Sequence, residues 1–342
     1  TAGRVREQKA IRPRPKQKIL IFTQFLPAHL LCYEKPRGYV DSMSKIRVGI
    51  PKLGFSGNLG RSEDDQGPKT MEEGGMIPML EEMGCEIVES VYAKLSPEEE
   101  KVYGARLRLG LASSNLADIV AKQIQEGILP IGLMANCNGL MGMLAGHQRA
   151  SGSWKPLRVG LIWIDAHGDF NPPETSLSGM MGGMPVAIST GLCLHHIRRA
   201  CGIDPPLPIS YVTMVGVRDT DPWEQNLIDT HGIPQISVAD LKEGSPKIYE
   251  EMERLAALTD IIYVHVDLDI LDPDDIPGAN LPVENGPTAD ELGDALEIMF
   301  KHPKAAGYGM ASYPWRRDLE RKGLKSVYRL VEGVIKGVKS RD

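Results

Sequence analysis

Two stretches of the chain are almost wholly apolar until they meet acidic residues: RVGLIWIDAHGDF, residues 158–170, and IIYVHVDLDILDP, residues 261–273. A strand with no polar alternation has both faces covered, which predicts a parallel sheet between two helical layers. KIRVGI gives a first strand over residues 46–50, stopped by Pro51, and CEIVES, ILPIGLM, ISYVTMVGV and AAGYGMASY supply others. Between them lie segments of helical period. One helix is predicted over residues 70–82 and another from Ser96 as N-cap to about Glu126, with Pro97 and three glutamates suited to its first turn. A helix is expected somewhere within residues 237–258, Thr288 and Glu291 form a capping-box pattern before another, and KSVYRLVEGVIKGV is a last amphipathic helix. Strand and helix alternate without a visible linker after residue 43. The expected fold class is therefore α/β, a single three-layer α/β/α domain over residues 43–342.

Residues 1–42 stand apart, with a basic start and an apolar middle broken by Pro, Tyr and charges; they are read as an N-terminal extension. The long Gly-rich and acidic stretch after the first strand, residues 54–68, reads as a surface loop at a strand's carboxyl end.

Composition narrows the function. The 342 residues are 42% hydrophobic and 25% charged, as in globular proteins. The net charge of -6 disfavours general binding to nucleic acid or to an anionic membrane. No apolar run approaches the roughly 18 residues of a membrane span. Five scattered cysteines, an odd number, fit free thiols and a cytoplasmic location.

The chemistry is concentrated where the two apolar runs end. DAHGD places Asp165, His167 and Asp169 at alternate positions, and DLD does the same for Asp267 and Asp269. Alternate strand residues share a face, and the carboxyl ends of neighbouring parallel strands share one edge. Four carboxylates and an imidazole gathered there repel one another unless cations neutralise them. Two divalent ions roughly 3.5–4 Å apart, bridged by carboxylates and a hydroxide, are the simplest solution. A lone Asp at a strand end is usually a turn or cap residue; two independent clusters carry the inference.

The same segments carry a resemblance. DAHGDFNPPETSLSGMMGGMP and HVDLDILDPDDIPG resemble the two signature segments of the ureohydrolase family, the arginases, agmatinases and formiminoglutamases, and VGVRDTDPWE resembles the strand and turn between them. The likeness extends from about Ile46 to Val338. It implies a mostly parallel eight-stranded sheet, a binuclear centre of Mn2+ or occasionally Ni2+ or Zn2+, hydrolysis of a guanidino or related C–N bond in a small molecule, and a homotrimer or homohexamer. Residue by residue, it implies that Asp165 and Asp267 bridge the metals, that Asp169 binds the first, and that His167 and Asp269 bind the second. Asp272 matches a supporting position, and Asn171 and Ser178 match positions that contact the amino-acid end of the substrate in arginases.

Three positions depart from the pattern. Cys137 stands where the family has a histidine ligand of the first metal. Either its thiolate ligates, shifting preference toward Zn2+ or Ni2+, or it is a small buried residue with Asn136 or Asn138 turned toward the site. Gly182 replaces an acid/base histidine and Ala311 a guanidinium-binding glutamate. Nearby, His265 faces the same way as Asp267 and is either a proton shuttle, a donor behind the ligands or a core histidine. His195 and His196 read as helix-surface residues, Arg218 and Asp219 as an ion pair, and Glu284 as a loop acid. The expected reaction is metal-assisted hydrolysis, with Asp169 carrying a proton to the leaving nitrogen. The competing reading is a catalytically weakened metal-binding member with a structural or regulatory role.

Overall fold

Among the described residues there are eight strands, β1 Arg47–Leu53, β2 Glu86–Tyr92, β3 Leu129–Met134, β4 Val159–Ile164, β5 Val212–Val215, β6 Gln235–Ile236, β7 Ile261–Asp267 and β8 Ala305–Ala311. They form one sheet in the order β2-β1-β3-β8-β7-β4-β5-β6, and every pairing is parallel. The computed structural model describes residues 45–57, 66–242 and 246–341, so the extension read over residues 1–42 lies outside the described residues.

Both faces of the central strands are covered, which is why these strands lack polar alternation. Ile162 and Ile164 of β4 pack on one side, with Val264, Val266 and the helices Pro246–Leu258, Ala289–Lys301 and Lys322–Lys339. Leu161 and Trp163 pack on the other, with Tyr263, Met214 and the helices Ala105–Gln125 and Leu140–Arg149. At one margin β2 alternates between exposed and half-buried positions, as a strand with one open face does.

Two local expectations change. β1 does not stop at Pro51 but runs to Leu53, with Pro51 in register with Val91. The missing N–H is tolerated because the carbonyls beyond it continue both ladders, Lys52 accepting from Ala93 at 2.8 Å and Leu53 from Ala135 at 2.9 Å. Ser96 does cap a helical start, exchanging bonds of 2.7 and 3.2 Å with Glu99, but only for the short turn Glu99–Lys101. Gly104, at φ 99°, then breaks the chain before the long helix begins at Ala105. The Thr288–Glu291 capping box forms as expected, with bonds of 2.8 and 3.2 Å.

The order of the sheet makes β3, β8, β7 and β4 consecutive neighbours. Their carboxyl ends deliver Cys137, Ser312, Asp267 and Asp165 to one place.

Candidate metal centre

β4 ends at Ile164, so Asp165, His167 and Asp169 lie on a loop and not on an extended strand. Their convergence comes from turn geometry instead of strand alternation. Asp165 folds its Oδ1 back to accept the His167 N–H at 2.7 Å. Asp169 takes a left-handed φ of 48°, and its carbonyl accepts from Val186 and Ala187 at 3.1 and 3.3 Å, at the start of the helix Pro185–Ser189. The Asn171 N–H reaches the Gly183 carbonyl at 3.3 Å, latching the intervening loop shut beside that helix. At the end of β7 the same fold-back recurs, Asp267 Oδ1 accepting the Asp269 N–H at 3.0 Å.

β3 leads into a tight turn, Cys137–Gly139, that starts the helix Leu140–Arg149. The side-chain amides of Asn136 and Asn138 both donate to the Ser56 carbonyl at 3.1 Å. Cys137 is the residue of this turn that reaches the acids, its Sγ 2.5 Å from Asp267 Oδ2 and 3.8 Å from Asp165 Oδ2.

Two overlapping sets of donors result, Cys137 with Asp165 and Asp169, and Asp165 with His167 and Asp269; within each set the ligand atoms lie within 4.8 Å of one another. Asp165 belongs to both, and Asp267 to neither. His167 Nδ1 stands 3.3 Å from Asp165 and 3.5 Å from Asp269. Oδ1 of Asp269 is buried without a hydrogen-bond partner. An orphaned buried carboxylate oxygen among hard donors fits a divalent cation, since leaving it unpaired is costly.

The electrostatics agree. Burial, then the neighbouring acids, push Asp165 and Asp169 well above the ordinary carboxylate range, and Asp267 up to about 7. Burial and the same acids raise the Cys137 thiol. Burial alone would lower His167, but its bonds to Asp165 and Asp269 and their charge overcome this and push it up to about 12. Such a cluster retains protons unless cationic charge replaces them.

The cavity above these groups has a volume of about 650 Å³. Its lining includes Asn171, Ser178, Met180, Met181 and Gly182 from one loop, Asp219, Asp221 and Glu224 from another, and Ser56, Gly57, Asn280, Leu281 and Ser312. Residues 58–65 of the expected surface loop lie outside the described residues. A Cβ built on Gly182 meets nothing within 4 Å, so the position of the absent histidine is open space. Ala311 is buried at the end of β8, in register with Asp267, and no carboxylate stands there.

Several residues singled out in the sequence lie elsewhere. His265 is outside the cavity lining: fully buried, it stacks on Trp163 at 4.8 Å and 12° and shares a 2.8 Å hydrogen bond with the Tyr263 hydroxyl. It faces the same side as Asp267 but two residues deeper, roughly 7 Å along the strand, and burial depresses its pKa to about 3. A direct proton shuttle at His265 is therefore not what the structure provides. Arg218 does not pair with Asp219; its guanidinium donates to the carbonyls of Gly216, Ile270, Val283 and Glu284. The His195 and His196 side chains are exposed, and Asp272 accepts the Asp274 N–H at 3.1 Å within its turn.

Among the lining residues that the sequence reading did not single out, three are polar groups tied into the site. Asp221 and Glu224 form a capping box after Asp219, a D-P-x-E pattern that was legible, and Glu224 also accepts the Phe170 N–H at 2.8 Å. Ser312, at φ 66°, donates to Asp267 Oδ2 at 2.6 Å; no pattern announces it.

A model of the Arginase family matches residues 50–310. The arginase of Bacillus caldovelox is 32% identical over 262 residues, covering 74% of this chain and 84% of that relative. The arginase of Neurospora crassa is 31% identical and covers 73% of each chain. The crystal structure of arginase from Bacillus subtilis superimposes with a TM-score of 0.73 at 26% identity, covering 84% of this chain and 98% of that one.

Proposed function

The chain belongs to the arginase family of metal-dependent hydrolases acting on non-peptide C–N bonds, and from that premise we propose that it hydrolyses a linear C–N bond in a small amidine, guanidine, ureido or related compound. The observation that carries this reading is the convergence of Cys137, Asp165, His167, Asp169, Asp267 and Asp269 from three strand ends beneath one cavity.

In this reading Cys137 and Asp169 would hold a first divalent cation and His167 and Asp269 a second, with Asp165 and Asp267 shared between the two. Manganese is the ion the family likeness favours, and the thiolate moves the preference toward zinc or nickel. When bound, the pair supplies the positive charge that polarises the scissile group and activates water near neutral pH. Asp169 takes up a proton and returns it to the leaving nitrogen, because Gly182 brings no imidazole to share the task. Its carboxyl faces the Gly182–Gly183 turn, where a Cβ on Gly183 would lie 3.9 Å from Asp169 Oδ1. His265, with Tyr263, supports the strand that presents Asp267.

Ala311 offers a guanidinium no carboxylate, a loss of about 3 kcal/mol for a charged hydrogen-bonded pair. Free arginine and agmatine should accordingly be poor substrates, with kcat/KM below about 10⁴ M⁻¹s⁻¹. The same replacements at Gly182 and Ala311 favour one second reading, a metal-binding member with weakened turnover and a regulatory role. The test is elemental analysis of metal-replete protein followed by a screen for urea, ammonia and amine release from guanidino, ureido and formimino compounds. Two ions per chain with turnover of one class support hydrolysis; two ions without turnover select the second reading; no bound metal rejects both. The family likeness also supports a homotrimer or homohexamer, read out by light scattering as three or six chain masses, and the scattered free cysteines support a cytoplasmic location.

A further inference from the structure

His167 and Asp269 follow different strands, and one residue is bonded to the backbone beside each of them. Arg218, on the turn after β5, is half-buried and divides its guanidinium donors among three segments. Nη2 donates to the Ile270 carbonyl at 3.2 Å and to the Val283 carbonyl at 2.8 Å, Nε to the Glu284 carbonyl at 3.0 Å, and Nη1 to the Gly216 carbonyl at 3.2 Å. Its main-chain N–H reaches the Ala166 carbonyl at 2.9 Å, an acceptor shared with the Asp219 N–H at 3.0 Å. Arg218 therefore holds the chain one residue before His167 and one residue after Asp269. All of these acceptors are neutral carbonyls, spread in directions that a planar fork can meet and a single ammonium cannot.

The segment held at Val283 and Glu284 is the loop whose Asn280 and Leu281 line the cavity. Residues 280–282 and 284–285 are exposed, and Gly278 and Asn285 take left-handed φ values of 83° and 64°. A loop with so little buried side chain belongs to the part of a fold that opens at low cost, so the ties it has matter. Besides the Arg218 bonds, it is seated where Gly286 packs on the other ligand segment: a Cβ there would lie 2.5 Å from the Ile270 carbonyl oxygen and from Asp272 N. Both supports therefore converge on the backbone just beyond Asp269.

We propose that Arg218 is a positioning residue that joins His167, Asp269 and the cavity loop over residues 280–284 into one unit, so that cation binding at His167 and Asp269 and ordering of that loop assist each other. By linkage, whatever the cation gains from an ordered loop the loop gains from the cation. The inference rests on the metal centre of the hydrolase reading and adds the element to which that centre is coupled. Arg218 acts through the backbone of its neighbours and touches no reacting atom.

The experiment follows hydrogen exchange of residues 279–286 and the stepwise affinities for Mn2+ and, in parallel, Zn2+ by chelator competition. It compares the full chain in wild type, Arg218→Ala, Arg218→Lys and Gly286→Ala. In wild type the metal should slow exchange of the loop about tenfold. Arg218→Ala should erase that slowing and weaken one metal site about 10–100-fold while the other stays within about twofold. Arg218→Lys, which keeps the charge and loses the fork, should resemble Arg218→Ala. Gly286→Ala, which lifts the loop from its second support and leaves Arg218 in place, should diminish the slowing. Loop exchange that ignores the metal in wild type, equal weakening of both sites in the Arg218 variants, or full recovery in Arg218→Lys overturns the proposal while the metal centre stands. Failure of wild type to bind either ion takes the hydrolase reading down with it. If the Arg218 variants do not fold, wild type and Gly286→Ala decide: slowing that Gly286→Ala diminishes supports the coupling, and equal slowing in both rejects it.

Discussion

The thiol of Cys137 lies 2.5 Å from Oδ2 of Asp267, and that one oxygen also accepts the 2.6 Å hydrogen bond from Ser312. A soft donor and a strained serine thus meet at a carboxylate to which the family likeness assigns a bridging role. The contact puts Cys137 within the cluster of strand-end acids, while the side-chain amides of Asn136 and Asn138 donate to the Ser56 carbonyl.

Cys137→Ala should empty the first cation site and keep the second, so that metal content falls from about two ions to one per chain. Cys137→His should retain both and move selectivity toward manganese, an imidazole being a harder donor than a thiolate. Elemental analysis after competition between manganese and zinc reads both. Unchanged occupancy in Cys137→Ala would exclude ligation by the thiol.

Asp165→Asn or Asp267→Asn should lose at least one ion and most activity without unfolding the sheet, because a neutral amide cannot balance two cations. Circular dichroism should match wild type. Two tightly held ions in either variant would contradict the bridging assignment.

Ser312→Ala removes the hydroxyl donated to Asp267 and should weaken metal affinity about 10–100-fold, the usual effect of losing a group that orients a ligand. Chelator competition measures the affinity directly, apart from activity. Equal affinity in wild type and Ser312→Ala would mean that the bond does not orient Asp267.

A pH dependence separate from the metal site follows from His147. Its ring is fully buried, with Nδ1 on the Met143 carbonyl at 2.8 Å, and burial lowers its pKa from 6.5 to about 4. The unfolded chain binds this proton first as pH falls, so its stabilising contribution is complete above about 6.5 and declines toward pH 4, by about 3 kcal/mol. Denaturant midpoints should fall across that window in wild type and fall less in His147→Gln. Parallel pH profiles for the two proteins would refute the assignment.

The sheet and its covering layers were legible because β4 and β7 are buried on both faces, which leaves an unmistakable apolar run in each. Pro51 misled because a missing N–H is harmless when the carbonyls beyond it keep both ladders bonded. The strand-end acids were recognised for an incomplete reason. Alternation suggested a shared strand face, whereas Asp165 and Asp267 fold back on the N–H two residues later and Asp169 turns left-handed. His265 illustrates the limit of alternation: it gives the correct side of the sheet but not depth, and depth decides between solvent and core. Ser312 lay beyond reach because its importance comes from a neighbour 45 residues away in sequence.

The carbonyl of Asp169 holds the start of the helix Pro185–Ser189, while Asn171 and Gly183 clasp the loop between them at its neck. Both ends of that loop are therefore anchored independently of what its middle contains. Residues 172–182 would then tolerate exchange as a unit, because the neck and not the loop's own side chains keeps Asp169 aimed at its station. A transplanted loop from a relative would be expected to carry its appetite with it, and the ancestral hydrolytic machinery would not have to be rebuilt for each new diet.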